Sequence, residues 1–452
     1  MNNYNTIIAQ ATPIGRGGIG IVRISGLNSK KISFLILKKT LKPRYAKYTS
    51  FYDFNNKILD KGIALWFPKP NSFTGEDILE LHCHGGPIII NLLIETILKT
   101  KQVRIAKPGE FLKRAFLNNK LDLIQVEAIY DLINTNSILA AKLAIKSVSG
   151  VFSIKINNII KLINNLRINL ETQINFTNEN INMFTKKEVK KYLNNIIKNI
   201  NNILKNSIKG YMLREEKKIV IFGLPNVGKS SLINILSNDK VSIVTKFLGT
   251  TRDIIKQNIE INNIQINIID TAGLRLTKNK IEKIGIKKTI NIIKQSDHLL
   301  FLISSIKKKN FLNLKYDFIK KIPNNLPITV IRNKIDLTKE LPGIFLLKNY
   351  TLICLSIISL DGIILLKKHL KKIVLNNNFT ESIFFSRLRH LELLKKAKYY
   401  LIKSKKKIKY MFYKELLADK LILVNNELNK LIGIKKDQNI INEIFSNFCI
   451  GK

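Results

Sequence analysis

The chain has 452 residues, 45% of them hydrophobic, with 76 Lys and Arg against 32 Asp and Glu for a formal net charge of +44. That length and apolar content exclude a small disulfide-held or wholly disordered chain and leave room for about two to four domains. Cys83, Cys354 and Cys449 are too few and too scattered for a disulfide framework, so a reducing, cytoplasmic setting is expected. No basic stretch followed by an apolar one opens the chain, and no apolar run approaches the ~20 residues that span a bilayer. The charge has two readings. One is contact with RNA; the other is an AT-rich coding bias that favours Lys, Asn and Ile throughout.

In chain order, Thr6–Ala11, Ile19–Ile24, Ile63–Phe67 and Ile78–Leu81 are β-branched or alternating and are expected as strands, with a helix over Pro87–Thr100. Residues 121–212 keep a helical apolar period with almost no Gly or Pro. Residues 217–376 then alternate short apolar runs with helical stretches. The runs are Ile219–Phe222, Ile264–Ile269, His298–Ile303, Ile328–Ile331 and Leu352–Leu355, the pattern of a parallel sheet covered by helices. Residues 380–448 return to the helical period. The fold class expected is a multidomain α/β protein. It has an N-terminal α+β domain (1–119), a helical domain in two halves (120–213 and 379–452) and an α/β domain (214–378) inserted between them. Lys403–Lys409 reads as a solvated helix face. His82 and His84 share one strand face with Cys83 on the other, and the absence of further ligands at metal spacing argues against zinc.

The chemistry concentrates in the α/β stretch. Gly223, Asn226, Val227, Gly228, Lys229, Ser230 and Ser231 have phosphate-loop spacing between a strand and a helix. Such a loop turns its N–H groups onto phosphates, its lysine reaches the β- and γ-phosphates, and Ser230 can bind Mg²⁺. Asp270, Thr271, Ala272 and Gly273 follow a second strand, where an acid can hold Mg²⁺ through water and a glycine can sense the γ-phosphate. Asn333, Lys334 and Asp336 follow a third strand. A carboxylate there can accept guanine N1–H and N2–H₂, which adenine cannot offer, so GTP is the expected substrate. Gly249, Thr250 and Thr251 lie between the first two motifs as a candidate switch loop. The glutamine that orients the attacking water in common small GTPases is replaced by Leu274.

Taken together, Gly223–Ser231, Ile243–Thr245, Gly249–Asp253, Asp270–Arg275 with Glu282 and Gly285, and Phe448–Lys452 resemble the MnmE (TrmE) family of tRNA modification GTPases. The likeness also runs through Thr6–Ala9, Gly15–Gly20, Arg23–Gly26, Ser72–Asp77, Glu80–Gly86, Pro108–Phe111 and Lys120–Leu123, essentially the whole chain. The resemblance implies a Ras-like P-loop GTPase domain inserted in the helical domain. It implies a homodimer formed by the N-terminal domain, which binds a 5-formyltetrahydrofolate-type donor through Arg23, Glu80, Lys120 and Lys452. It also implies GTP contacts that include Thr245, Lys246, Phe247 and Leu248, Mg²⁺ on Ser230 and Thr251, and K⁺ on Asn226, Thr245, Phe247 and Thr250. Glu282 would orient the water beside the catalytic Lys229. The implied role is a cytoplasmic GTP-driven switch. With the flavoprotein MnmG (GidA), it would add an aminomethyl or carboxymethylaminomethyl group to C5 of the wobble uridine of tRNA.

The chain departs from the family where acids around Glu171–Asn180 become amides, at Glu216 and Ser304, and at Ser356-Ile357-Ile358, where Ser-Ala-Lys is usual. The last is expected to weaken guanine affinity modestly. For Cys449, a packing role and a reactive-thiol role both stand. The competing function is an Era-like ribosome-assembly or RNA-binding switch. Such a chain carries an RNA-binding module after its G domain, where this one has a helical return.

Overall fold

The computed structural model describes residues 6–135, 137–175, 185–214, 217–223, 226–237, 255–261, 264–270, 290–306, 323, 326–347, 350–374, 383–410, 413–434 and 438–451. They form two compact units. One comprises Met1–Ile133, Ile145–Leu204 and Arg389–Lys452; the other comprises Asn134–Ala144 and Lys205–Leu388. Among the described residues no helix is long and apolar enough to cross a membrane.

The first unit begins with β1 (Thr6–Gln10), β2 (Gly17–Ser25), α1 (Ser29–Leu37), β3 (Lys47–Tyr52), β4 (Ile58–Phe67), β5 (Ile78–Gly85), α2 (Pro87–Leu98), β6 (Val103–Ile105) and α3 (Glu110–Leu117). The strands make a six-stranded sheet in the order β3-β4-β5-β2-β1-β6, antiparallel except where β6 joins β1. The two-residue period of β2 and β5 sends Val22, Ile24, Leu79, Leu81 and Cys83 into one core with Ile32, Ile36, Ile90, Leu93 and Ile97 of α1 and α2. The same period sets Arg23 opposite Glu80 in register, on the face turned away from those helices.

Asp122 and Gln125 start α4 (Leu123–Asn134) with a reciprocal cap. Gln125 N–H donates to Asp122 Oδ1 at 2.9 Å, and Asp122 N–H donates to Gln125 Oε1 at 3.0 Å. Helices α5 (Ile138–Val148), α6 (Val151–Asn175) and α7 (Lys186–Arg214) follow. Along α6, Phe152, Ile156, Ile159, Ile163, Leu166 and Leu170 recur every three or four residues and are buried.

The second unit is built on β7 (Lys217–Gly223), α8 (Lys229–Ser237), β8 (Ile255–Ile261), β9 (Ile264–Asp270), β10 (His298–Ser304), β11 (Ile328–Asn333), the single turn α9 (Ile335–Thr338), β12 (Gly343–Leu347), β13 (Tyr350–Cys354) and α10 (Ile363–Val374). Its sheet order is β12-β13-β11-β10-β7-β9-β8. The five inner strands run parallel and the two edges antiparallel. Inner strands are apolar on both faces because both are covered. Ile219, Ile221, Leu300, Leu302, Ile331 and Ile353 pack with Leu232, Leu236, Leu366 and Leu370 of α8 and α10, while Val220, Ile269 and Leu299 pack with Ile293 on the other side. Residues Ala140 and Leu143 of α5 join Ile383 and Phe385 in a small cluster of this unit.

The chain then returns through α11 (Leu388–Tyr410), α12 (Lys414–Ile432) and α13 (Gln438–Ser446). Buried Glu127 of α4 ties this return to the first half of the helices. It accepts from Arg389 at 2.8 and 3.2 Å and pairs with His390 Nε2 at 2.6 Å, while Arg389 also donates to the Lys430 carbonyl at 3.2 Å. Ile441, Ile444, Phe445 and Phe448 close over Leu112, Phe116, Leu123 and Val126. The backbone beyond α13 runs past the start of α3, where Gly109 N–H donates to the Cys449 carbonyl at 3.4 Å. Buried Gly451, at φ 103°, lies so close to Gln10 that an added Cβ would stand 2.0 Å from its carbonyl oxygen.

At the N-terminal ends of β10 and β11, Thr329 Oγ1 lies 2.8 Å from both His298 Nε2 and His369 Nε2. With one proton and two lone pairs, the Thr329 hydroxyl can serve both rings, in directions set by their tautomers. Burial, and then the charge of His369, push the His298 imidazole down to about 4; burial and Lys372 also lower His369. A lowered folded pKa means the unfolded chain binds the proton first. The α/β unit therefore holds this contribution in full above about pH 6.5 and loses it as pH falls towards 4. Amide exchange of β10 and β11 should report that loss, and His298→Leu should shrink the difference between pH 7 and pH 4.5; an undiminished difference would contradict it.

Candidate functional site

The C-terminal ends of β7, β11 and β13 bring three loops together, the place where open α/β sheets bind ligands. The loop after β7 reaches α8 through Asn226 (φ 63°) and Gly228 (φ 100°), both left-handed. Gly228 admits no side chain, since a Cβ would meet Asn333 Nδ2 at 2.6 Å and Ile357 Cδ1 at 3.0 Å. Val227 points into the core with Leu232 and Ile233, which anchors the loop between strand and helix. Lys229, 9% exposed, donates from Nζ to the Gly223 carbonyl at 3.0 Å. Its ammonium is thus held at the mouth of the loop by a carbonyl that a phosphate oxygen can replace. Ser230 and Ser231 stand exposed in the first turn of α8, where N–H groups and the helix dipole favour an anion.

Asn333 joins this loop to the next. Buried at 2% exposure, its Nδ2 donates to the Val227 carbonyl at 2.8 Å and its Oδ1 accepts from Ile357 N–H at 3.1 Å. Lys334 takes a left-handed conformation (φ 69°), and its carbonyl accepts from Ser305 Oγ at 2.6 Å. Asp336 follows in α9. Ser356 Oγ donates to its Oδ1 at 2.6 Å and itself accepts from Ser359 N–H at 3.2 Å. A carboxylate fixed in this way can take the two N–H donors of a guanine edge. Hydrogen bonds and the close approach of Gly228 to Asn333 therefore gather Val227, Gly228, Lys229, Asn333, Lys334 and Asp336 in one place, with Asn226 beside them in the same loop. Ser305 belongs there as well. Sequence reasoning misses it, and only its place just after β10 could draw notice. Ser356, notable in sequence only within a departure from the family, keeps the hydroxyl that orients Asp336. Thr245, Lys246, Phe247, Leu248, Gly249, Thr250, Thr251, Thr271, Ala272, Gly273 and Glu282 lie outside the described residues, as does the side chain of Asp270. The Asp270 backbone ends β9, in register with Ile221 and Ile255.

A second cluster sits in the N-terminal unit. Arg23 Nε donates to Glu80 Oε1 at 2.7 Å, and its guanidinium lies 5.6 Å from the centroid of the Phe73 ring and 5.8 Å from that of Phe111. Burial works to raise the Glu80 carboxyl. Hydrogen bonds from His82 and Arg23, with the Arg23 charge, outweigh it and hold the group below its ordinary value. Beside this pair, Ser25 Oγ bonds both Thr74 Oγ1 and Glu76 Oε2 at 2.8 Å, and buried Arg114 bonds Glu76 at 2.8 Å and Glu110 at 3.1 Å. This network stiffens the loop 72–77. Its members Thr74, Glu76 and Glu110 stand in segments that carry the family resemblance, yet the sequence alone assigns them no role. Lys120 lines a cavity of about 350 Å³ with Phe116, Asp122, Asn157 and Ile434. Lys452 lies outside the described residues, but its neighbour Gly451 is seated against Gln10 at the end of β1.

Two family models match the chain: "GTP-binding protein TrmE N-terminus" over residues 6–120 and "MnmE helical domain" over residues 123–449. A tRNA modification GTPase MnmE from Baumannia cicadellinicola is 47% identical over 99% of this chain and 99% of its own length. The protein of the same name from Actinobacillus pleuropneumoniae is 46% identical over 99% of this chain and 100% of its own. Among solved structures, a single-substitution variant of Aquifex aeolicus Era bound to GDP·AlF4⁻ is 25% identical, covering 41% of this chain and 66% of that one with a TM-score of 0.28. Matched by two of the family's models and, along nearly its full length, by relatives 46% and 47% identical, the chain belongs to the MnmE family of tRNA modification GTPases.

Proposed function

We propose that this chain is the K⁺-dependent GTPase switch of a wobble-uridine modification system. It would work as a homodimer with a flavoprotein partner of the MnmG type and transfer a one-carbon unit from a formyltetrahydrofolate-type donor to C5 of the uridine. The observation that carries the GTPase part is the continuous path from the phosphate loop through Asn333 to Ile357, Ser356 and Asp336. It couples triphosphate binding to base selection.

In this reading Lys229 exchanges the Gly223 carbonyl for β- and γ-phosphate oxygens, and Asp336 accepts the guanine N1–H and N2–H₂. Leu274 stands where a water-orienting glutamine is common, and the family resemblance gives that part to Glu282, whose carboxylate would accept a hydrogen bond from the attacking water and orient it towards the γ-phosphate. Asn226 and Ser230 are both exposed at the mouth of the loop and offer the hard oxygen donors that Mg²⁺ and K⁺ take. Ser230 and Thr251 would hold the former, and Asn226, Thr245, Phe247 and Thr250 the latter. When bound, the two ions supply positive charge beside the triphosphate. Arg23 and Glu80, fixed on the sheet face away from α1 and α2, offer a paired donor and acceptor to a pterin. With Lys120 and Lys452 they would hold the folate, which supplies the one-carbon unit when bound. The domain limits 1–119, 120–213, 214–378 and 379–452 accompany this assignment.

GTP hydrolysis should rise when K⁺ replaces Na⁺ at constant ionic strength, and equal rates in the two salts would remove the cation from the reading. Glu282→Ala should cut turnover by a factor on the order of 10² or more and leave GTP affinity within about twofold; single-turnover kinetics with unaltered rates would remove Glu282 from its place. Gly451→Ala should unseat the C-terminal residues from Gln10 and weaken formyltetrahydrofolate binding by about tenfold or more, about 1.4 kcal/mol, with K⁺-stimulated hydrolysis intact. Calorimetry returning the parent folate affinity would argue against Lys452 as a ligand.

A further inference from the structure

Helix α11 carries nine basic residues, Arg389, Lys395, Lys396, Lys398, Lys403, Lys405, Lys406, Lys407 and Lys409, against one acid, Glu392. That share far exceeds the 76 Lys and Arg spread over the 452 residues of the whole chain. Arg389 is spent on Glu127, but the lysines are arranged differently. The inner face of α11 is Leu391, Leu394, Ala397, Leu401 and Ile408, all buried. The opposite face exposes Lys395, Lys396, Tyr399, Lys403, Lys406 and Lys407, a stripe that advances about 4.5–6 Å per step of three or four residues. Neighbouring phosphates of an extended strand repeat on a similar scale. Tyr399 is 59% exposed, and Lys403 Nζ stands 5.7 Å from its ring centroid. An aromatic plane therefore lies among the ammonium groups.

At the C-terminal end of the stripe, α11 and the start of α12 part around a cavity of about 280 Å³. Its lining is mostly apolar, with Ile408, Tyr413, Leu416 and Leu417, and includes Lys407 and Lys420. Tyr413 is 50% and Leu416 49% exposed. Glu415 and Asp419 of α12 are the acids exposed nearby in sequence.

We infer that this face of α11 and α12 binds single-stranded RNA. The lysine stripe takes the phosphates, Tyr399 offers a stacking plane, and an unstacked base enters the cavity at Tyr413 and Leu416. The charge selects a polyanion, and the apolar cavity selects one that can turn a flat apolar face into it, which a loop can do and a paired duplex cannot. The inference rests on the proposed role in tRNA modification for its choice of RNA over other polyanions.

The test uses the full chain and a fluorescently labelled RNA hairpin with a seven-nucleotide loop, alongside a fully paired RNA duplex of the same length, with binding read by anisotropy over a range of salt. Lys396→Ala, Lys403→Ala and Lys407→Ala together should weaken hairpin binding by tenfold or more and lower the slope of log K against log salt by about 2, at about 0.7 per lost contact. Tyr413→Ala with Leu416→Ser should cost on the order of tenfold for the hairpin and leave the duplex unchanged. Lys30→Ala, Lys31→Ala and Lys39→Ala, exposed in the N-terminal unit, should change neither quantity. All substitutions fall on exposed side chains, and circular dichroism checks that helix content is kept. Unchanged slope in the stripe variant, an equal loss in the N-terminal control, or a cavity variant that binds the hairpin as the parent does would each overturn the inference. So would poly-glutamate displacing the hairpin as well as unlabelled RNA does, which would assign the face to an acidic protein. Each variant's K⁺-stimulated GTP hydrolysis is measured alongside. A parent chain without such hydrolysis would strike the proposed function and not this surface.

Discussion

The nucleotide site is held in register by one carboxamide. Asn333 uses its amide hydrogen on Val227 and its oxygen on Ile357, so the loops after β7, β11 and β13 cannot drift apart without leaving a buried donor and acceptor unpaired. An unpaired buried polar group costs roughly 1–3 kcal/mol, more than the net gain of a typical hydrogen bond. The bridge thus works as a constraint more than as a source of stability. Gly228 is its counterpart, since only the lack of a Cβ lets the asparagine come so near the phosphate loop. The loop that holds Lys229 and the loop after β13 are thus tied through a single side chain.

What could be read in the sequence follows from how local each signal is. The strand before and the helix after the phosphate-loop spacing, and the apolar runs of β7, β10, β11 and β13, are local patterns, and these elements form where expected. The strands β3, β8 and β12 do not announce themselves. Residues 255–261 read IKQNIEI, a polar edge with one neighbour, and Gly343–Leu347 is mostly exposed and gains its identity only by pairing with β13. The Arg114 contact with Glu76 and the Glu127 contacts with Arg389 and His390 join residues 38, 262 and 263 positions apart. No spacing rule predicts them, because the fold and not the local pattern brings them together. Ser305 and Ser356 are in the same class. Their hydroxyls matter through one backbone carbonyl and one carboxylate oxygen, neither visible in a motif.

The helical return has an electrostatic counterpart to Asn333. Glu127 is nearly fully buried, and its charge is tolerable because a guanidinium and an imidazole converge on it while the same guanidinium reaches the Lys430 carbonyl at the end of α12. Such clusters add little net stability over an apolar core, but they penalise any other pairing of the helices. In a chain where Lys, Asn and Ile dominate the helices, apolar periodicity alone specifies packing partners weakly, and a buried charge cluster supplies discrimination.

The closure of α13 over α3 has a consequence for synthesis. Leu112 and Phe116 are covered by Ile441, Ile444, Phe445 and Phe448, which are made about 330 residues later. At roughly 5–20 residues per second, a ribosome needs about 16–65 s to cover that distance. During that interval the nascent N-terminal sheet carries an uncovered apolar face on α3 and an empty seat at Gln10. The slower the synthesis, the longer that apolar face waits for the segment that buries it.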